Sequence, residues 1–257
     1  DTLNGHTILV DAGTYYEHIT LEKSVNLIGE NPYTTILDGQ GFGTVANVTA
    51  NNVTIDGFTI KNGEVGIHLV SVGNSLIRGN YVNNNKDGID VTLSWNSTIT
   101  ENNSSSNKQR GIYLEYSWNC SVEGNIVEKN DWYGLNVFFS QNCSVVGNTV
   151  RGGKNDWDAI GLYYSRDCMV VGNTANDSYW FGLWLENSTN IVLDGNYVNN
   201  NWYGISLDSS SQCIIRQNDV RNSRGYNLGL HFSSMNTLYH NNFFVTNANQ
   251  VESINSI

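Results

Sequence analysis

Short runs of alternating hydrophobic and polar residues recur along the chain, separated by Asn, Ser, Asp and Gly. Residues 182–203 read GLWLENSTNIVLDGNYVNNNWY, in which apolar residues alternate with polar ones twice before the pair Gly195-Asn196. A period of two residues is that of a β-strand, and no stretch of the chain sustains a period of 3.6 residues. The pattern therefore predicts short strands joined by tight turns, with no helix.

The same unit repeats every 22–25 residues. Successive units begin at Gly66, Gly88, Gly111, Gly134, Ala159, Gly182 and Gly204, and the residue fourteen positions later is Asn80, Asn102, Asn125, Asn148, Asn173, Asn196 and Asn218. We number each unit from its first residue as position 0. Three short parallel strands per unit predict an all-β fold, a single-stranded right-handed parallel β-helix of about ten coils.

Apolar residues at positions +1, +3 and +11 are expected to form a continuous core, because like residues stack on successive coils. The asparagines at +14 and the polar residues at +8, from Asn74 to Gln212, are expected to form two ladders of stacked side chains, which bond to one another and satisfy turn backbone. Cys120, Cys143, Cys168 and Cys213 all lie at +9. Disulfides between residues in register would be strained, so we expect buried free thiols.

The whole chain, residues 1–257, is expected to form one domain. Residues 1–60 are irregular first coils, residues 61–242 are regular repeats, and residues 243–257 form a last partial coil without a cap. Open strand edges normally pair with another chain or are covered. The sequence therefore predicts contact with further coils, including end-to-end stacking of copies into filaments.

The formal charge of −11 argues against nucleic acid and anionic membranes as partners. No run of eighteen apolar residues occurs, so we expect no membrane span. No Cys-x-x-Cys or paired-histidine spacing suggests a metal site, and we expect no cofactor, although calcium remains an open alternative. Five Asn-X-Ser/Thr sequons outside the ladders are glycosylation candidates: Asn47, Asn52, Asn103, Asn176 and Asn187.

Aromatic side chains mark one surface. Position −2 holds tryptophan on four successive coils, and aromatic or acidic residues occupy −1, +2 and +4. The resulting strip comprises Trp132, Trp157, Trp180, Trp184, Trp202, Tyr113, Tyr133, Tyr163 and Tyr203, with Glu115 and His231 beside them. Exposed aromatic faces with polar neighbours suit sugar rings, so the strip is a predicted glycan-binding or subunit-contact surface. The alternative is that stacked aromatics only stiffen the turn.

Glycoside hydrolysis needs two carboxyl groups at a defined separation. Glu186 and Asp208 share position +4 on adjacent coils and are expected about 5 Å apart, with Asp158 as a third candidate. These three residues are the predicted catalytic set. The competing interpretation is an acidic surface column without chemistry. The Asp-Pro-His-Asp motif of β-helix uronate epimerases is absent, and the only proline is Pro32.

The run ILVDAGTYYEHITLEKSVNLIGENPYTTILDG, residues 8–39, resembles the opening of NosD-type carbohydrate-binding/sugar-hydrolase (CASH) β-helix proteins. These belong to the pectin-lyase-like superfamily, and many come from archaeal cell surfaces. The resemblance extends over essentially the whole chain. It implies the β-helix fold strongly and function hardly at all, because the family includes enzymes, binding modules and structural proteins.

We therefore expect an extracellular or cell-surface structural β-solenoid whose aromatic-acidic strip contacts a polysaccharide or another copy. The first alternative is a polysaccharide-degrading glycoside hydrolase, similar to the disaggregatase of methanogenic archaea, that uses Glu186, Asp208 and Asp158. The second is a carbohydrate-binding module without catalytic activity.

Overall fold

The computed structural model describes residues 2–153, 157–244 and 249–256. Within these ranges the chain forms 33 strands and no helix. The strands form three parallel sheets, A, B and C, and the chain visits them in the order A, B, C on every coil. The right-handed parallel β-helix predicted from the repeat is confirmed. No helix in the described ranges is long and apolar enough to span a membrane.

Sheets A and B consist of strands of three or four residues. Sheet A contains β1 (Thr7–Val10), β4 (Asn26–Gly29), β7 (Thr54–Asp56), β10 (Leu76–Arg78), β13 (Thr98–Thr100), β16 (Ser121–Glu123), β19 (Ser144–Val146), β22 (Met169–Val171), β25 (Val192–Asp194), β28 (Ile214–Arg216) and β31 (Thr237–Tyr239). Sheet B contains β2 (Gly13–Tyr15), β5 (Thr35–Asp38), β8 (Thr59–Lys61), β11 (Tyr81–Asn83), β14 (Asn103–Ser105), β17 (Ile126–Glu128), β20 (Thr149–Arg151), β23 (Thr174–Asn176), β26 (Tyr197–Asn199), β29 (Asp219–Arg221) and β32 (Asn242–Phe244).

Sheet C has the longest strands, of six residues from the third coil onward. It contains β3 (Ile19–Leu21), β6 (Thr44–Val48), β9 (Val65–Val70), β12 (Asp87–Thr92), β15 (Arg110–Glu115), β18 (Tyr133–Phe138), β21 (Asp158–Tyr163), β24 (Phe181–Glu186), β27 (Tyr203–Asp208), β30 (Tyr226–His231) and β33 (Asn249–Ile254). Equal positions pair from coil to coil, as in Ile112 with Leu135 and Glu115 with Phe138. Each outward position therefore forms a straight column along the axis.

The core is one continuous stack. Positions +1 and +3 of sheet C and +11 of sheet A are buried, as predicted. Sheet B contributes a fourth inward column at position +16, which includes Val82, Val127, Val150 and Val198. The four cysteines are buried free thiols, as predicted.

The asparagine ladder at +14 closes the turn between sheets A and B. The backbone N–H of Asn102 donates to Asn125 Oδ1 at 2.9 Å, and Asn125 Nδ2 donates to the carbonyl of Ile99 at 2.8 Å. The same pair of contacts recurs on the neighbouring coils. Turn backbone that would otherwise be buried without a partner is thus satisfied by the side chain of the next coil.

The ladder expected at +8 is confirmed only for bonds between neighbouring side chains: Asn96 Nδ2 donates to Asn74 Oδ1 at 3.3 Å, and Asn190 Nδ2 donates to Asp167 Oδ1 at 2.6 Å. The side chains from Asn74 to Gln212 are exposed, and their backbone φ values are positive, between 50° and 58°. Asparagine is present there because it tolerates the left-handed conformation. The buried polar ladders are instead serine at +6, such as Ser117 and Ser140, and asparagine at +19, such as Asn107 and Asn130. Both ladders were missed in the sequence.

Candidate functional site

Sheet C presents three outward columns, at positions −1, +2 and +4. The glycine at position 0 has no room for a side chain: a Cβ on Gly111 would lie 2.4 Å from Val127 Cγ1 and 2.7 Å from the Gly134 carbonyl oxygen. This close packing tucks position 0 inward and leaves position −1 on the same face as +2 and +4. Contacts between the columns confirm this arrangement, because Phe181 packs on Trp184 with ring centroids 4.1 Å apart.

The columns enclose an aromatic recess in the middle of the sheet. Its volume is about 320 Å³, at the lower end of the range for small-molecule sites. The lining side chains are aromatic except for two carboxylates: Tyr133, Phe138, Trp157, Asp158, Tyr163, Tyr164, Phe181, Trp184 and Glu186. Six of the predicted strip and catalytic residues therefore meet in one place: Tyr133, Trp157, Asp158, Tyr163, Trp184 and Glu186.

The base of the recess is polar. Asp158 is 1% exposed and accepts a hydrogen bond from Tyr163 Oη. Burial raises the pKa of Tyr163, and the Asp158 carboxylate raises it further. Gly161 makes this arrangement possible, because a Cβ there would lie 2.7 Å from Asp158 Oδ2 and 2.5 Å from Asn136 Nδ2. The Asn136 side chain is buried, and neither of its amide atoms has a hydrogen-bond partner among the described residues.

The two carboxylates of the predicted acidic pair have different surroundings. Glu186 and Asp208 are in register on adjacent strands, as expected from their shared position. Glu186 lines the recess and lies 3.4 Å from Trp184 Nε1, whereas Asp208 does not line it and accepts a hydrogen bond from Ser209. His231 follows Asp208 in register, and its Nε2 lies 3.8 Å from Glu252. Glu186 and Asp158 therefore line the same recess, and Asp208 lies outside that lining.

The strip is less uniform than the sequence suggests. Trp132, Trp157, Trp180 and Trp202 are exposed, with Trp157 the most open at 58%. Tyr133, Trp184, Tyr203 and Glu115 are half-buried, whereas Tyr113 and Tyr163 are buried. Tyr113 therefore offers no open platform for a ligand: the Arg110 guanidinium covers it, 4.0 Å from the ring centroid.

Toward the N-terminal coils, the same face carries a charged cluster that was missed in the sequence. Arg110 makes a two-pronged contact with Asp87, at 2.7 and 2.9 Å, and lies 3.6 Å from Asp90. Burial opposes the charge of Arg110, but Asp87 outweighs it and holds its pKa above the ordinary value. Burial raises the pKa of Asp90. The charged residues at positions −1 and +2 of these earlier coils were the sequence pattern from which the cluster could have been predicted.

A second groove, which we call the corner groove, lies on the turn that follows sheet C and was also missed. Tyr116, Phe139 and Tyr164, at position +5, form one wall, and Trp118, Gln141 and Arg166, at +7, form the other. Ser117 and Ser140 lie between the walls, and the volume is about 390 Å³. The rings of the first wall stack nearly parallel, with centroids 5.0 and 4.8 Å apart.

The backbone at position +5 is left-handed on every coil from Ser71 to Phe232. At φ of 48°, 45° and 50°, Tyr116, Phe139 and Tyr164 are bulky residues in a region that Asn and Gly occupy cheaply. Such strain costs about 1–3 kcal/mol for each residue. Stacking between aromatic rings stabilises the fold by only about 0.5–1.5 kcal/mol for each pair.

The glycosylation candidates differ in exposure. Asn52 and Asn187 are exposed, Asn47 and Asn103 are half-buried, and Asn176 is buried. A buried side chain cannot present its amide for modification, so Asn176 was poorly chosen as a free acceptor.

Comparison with known proteins decides the family. A sequence model described as "Periplasmic copper-binding protein (NosD)" matches residues 2–152 and 131–255, which together span nearly the whole chain. The chain belongs to the NosD family. This confirms the resemblance seen in residues 8–39. No curated protein sequence matches the chain.

Solved structures similar to this NosD-family chain share its fold at low identity. The A-module of the Azotobacter vinelandii mannuronan C-5 epimerase AlgE6 has a TM-score of 0.72 at 12% identity, with 99% of this chain and 90% of that chain covered. The Dettilon tailspike protein gives 0.73 at 14%, covering 96% of this chain and 61% of the tailspike. A double mutant of the periplasmic alginate epimerase AlgG gives 0.62 at 19%, covering 93% and 71%.

The family description names copper. In the described part of the chain, no three His, Cys, Asp or Glu side chains form a group that could hold a metal ion. The cysteines, the natural soft ligands, are buried inside the solenoid. The residues therefore do not fit a copper site, and we assign no role to copper.

Proposed function

We propose that the aromatic recess on sheet C binds a polysaccharide that lies along the solenoid axis. The observation that carries the proposal is the meeting of exposed Trp157 with two carboxylates, Asp158 and Glu186, in one recess. Aromatic rings pack against the apolar faces of sugars, and carboxylates accept hydrogen bonds from sugar hydroxyls. The named functions of two similar structures, mannuronan and alginate epimerases, also concern polysaccharides.

The electrostatics of the face favour an uncharged glycan. Its outward columns carry Asp158, Glu186 and Asp208, and the arginine in these columns, Arg110, is already engaged by Asp87. An acidic polysaccharide would meet like charges on this face, whereas a neutral one would not. We therefore expect this recess to differ in ligand from the uronate-modifying epimerases that share its fold.

We place the protein on the outer side of the cytoplasmic membrane, in the periplasm or at the cell surface. The matching family is described as periplasmic, and the structurally similar alginate epimerase AlgG is also a periplasmic protein. A structural role at the surface and end-to-end stacking, both expected from the sequence, stay predictions.

Binding of neutral hexasaccharides such as cellohexaose and mannohexaose, measured by isothermal titration calorimetry, tests the proposal. Trp157→Ala should weaken binding about tenfold or more, because an exposed aromatic contact is lost. Tyr16→Ala, which removes an exposed aromatic residue between β2 and β3, is the matched control and should change affinity by less than about twofold. Equal effects of both variants would contradict a site in the recess.

Glycoside hydrolysis is the second candidate, because Asp158 and Glu186 line the same recess. In this mechanism one carboxyl group protonates the leaving oxygen and the other acts as base or nucleophile. The hydrogen bond from Tyr163 would fix the Asp158 carboxylate. Release of reducing ends from a bound polysaccharide, lost in Glu186→Gln with binding retained, would establish the enzyme. Retained binding without release would identify a binding module.

A further inference from the structure

The corner groove has an aromatic wall built at a position whose backbone is left-handed on every coil from Ser71 to Phe232. Four positions adopt a left-handed backbone on most coils: +5, +8, +13 and +18. Asparagine dominates +8, glycine dominates +13, and polar residues fill +18. Position +5 alone carries aromatic rings on three successive coils, Tyr116, Phe139 and Tyr164.

Backbone preference therefore does not account for these rings. After the corner groove the same position holds Asn187 and Ser209, which suit the left-handed conformation, although Leu93 precedes the groove and Phe232 lies two coils beyond Asn187. The strain at Tyr116, Phe139 and Tyr164 also exceeds what their stacking on one another returns. Strained residues of this kind gather at functional sites, and the rings here face an open groove.

The opposite wall supplies a positive charge. Arg166 Nε donates to Gln141 Oε1 at 2.9 Å, and no carboxylate among the described residues lies within salt-bridge distance of its guanidinium. Arg78, Arg110, Arg216 and Arg221 are each paired with an aspartate, whereas Arg151 and Arg224, like Arg166, form no salt bridge with a described residue. Arg166 differs from these two because it lines a groove together with exposed aromatic rings. Planar guanidinium groups recognise carboxylates with two parallel hydrogen bonds.

We propose that the corner groove is a binding site for an acidic sugar, with Arg166 paired to the sugar carboxylate and the ring packed between Trp118 and the wall of Phe139 and Tyr164. The site spans three coils, about 10 Å along the axis at strand spacing. Tyr164 also lines the aromatic recess, so the two sites adjoin at this residue. The inference concerns a second site and does not depend on the ligand of the recess.

The test is titration calorimetry with hexameric oligomannuronate as the acidic probe and cellohexaose as the neutral one. Arg166→Gln should weaken oligomannuronate binding about tenfold to a hundredfold, the loss expected for hydrogen bonds to a charged group. Arg224→Gln removes the same charge from an exposed arginine on another coil and should leave affinity within about twofold. Cellohexaose binding should be the same in Arg166→Gln and in the wild type.

Phe139→Asn separates recognition from stability. Asparagine relieves the left-handed strain, so the melting temperature should stay within about 2 °C or rise, while oligomannuronate affinity falls about tenfold. The proposal is overturned if the wild type does not bind oligomannuronate, or if Arg166→Gln and Arg224→Gln weaken it equally. It is also overturned if Phe139→Asn lowers the melting temperature and leaves affinity intact. Loss of oligomannuronate binding in Glu186→Gln alone would move the acidic sugar to the recess.

Discussion

The asparagine ladder offers the sharpest test of what holds the solenoid together. Asn125 is buried in the middle of the ladder. Replacing it with alanine removes the acceptor of the Asn102 backbone N–H and the amide that donates to the Ile99 carbonyl. A buried N–H left without a partner costs about 1–3 kcal/mol, and a lost hydrogen bond about 1 kcal/mol more. The free energy of unfolding should therefore fall by about 2–4 kcal/mol.

Urea unfolding followed by tryptophan fluorescence gives the free energy, and hydrogen exchange gives the location. Exchange of the Asn102 amide should accelerate selectively, because its acceptor is gone. Asn125→Leu preserves most of the side-chain volume, so a similar loss there would assign the effect to hydrogen bonding rather than to a cavity.

Asn119→Gly, in the same coil, is the control. Asn119 is exposed with φ of 54°, a conformation that glycine adopts freely, so stability should change by about 0.5 kcal/mol or less. A loss below about 1 kcal/mol for Asn125→Ala, or an equal loss in Asn119→Gly, would refute the argument that the ladder satisfies buried backbone.

Three further outcomes are expected. Gly111→Ala should destabilise the protein by about 1–3 kcal/mol in urea unfolding, because its Cβ would press on Val127; unchanged stability would contradict the close packing at position 0. Burial raises the pKa of Asp90, so the folded chain binds this proton more tightly than the unfolded chain does. Its stabilising contribution is therefore present below about pH 4 and is lost as pH rises through the folded value. Asp90→Asn should raise the melting temperature at pH 7 and not at pH 3, and a pH-independent difference would oppose this assignment. Burial raises the pKa of Cys213 to about 11, so Ellman's reagent should label it only in denaturant; rapid labelling of the native protein would show the thiol to be accessible.

The fold was predictable because each coil repeats the same constraints. Inward residues at +1, +3 and +11 have the strand period, and Asn125 and its equivalents mark a turn that only an amide satisfies. The error at +8 has a physical cause. Asn119 supports the backbone conformation of its own residue, and a sequence does not distinguish this from an asparagine that bonds across coils, as Asn125 does.

The candidate site was predictable only in part. The tryptophans at −2 and the register of Glu186 with Asp208 follow from counting positions. The hydrogen bond from Tyr163 to Asp158 does not follow from counting positions, because the two residues lie in different columns. It also requires that Gly161, between them, has no side chain. The corner groove was missed because aromatic residues at +5 look like a core column until the left-handed backbone turns them outward.

The asparagine ladder also gives the solenoid a direction. In each pair the backbone N–H of the earlier coil is satisfied by the side chain of the later coil, as Asn80 is by Asn102 and Asn102 by Asn125. Within this ladder, the backbone N–H of each turn is therefore satisfied by the side chain of the following coil. The N-terminal coils leave a ribosome or a translocation pore first. If they fold in that order, the last coil formed has one turn whose backbone N–H has no acceptor until the next coil is added. Winding in this order proceeds by adding one closed turn at a time.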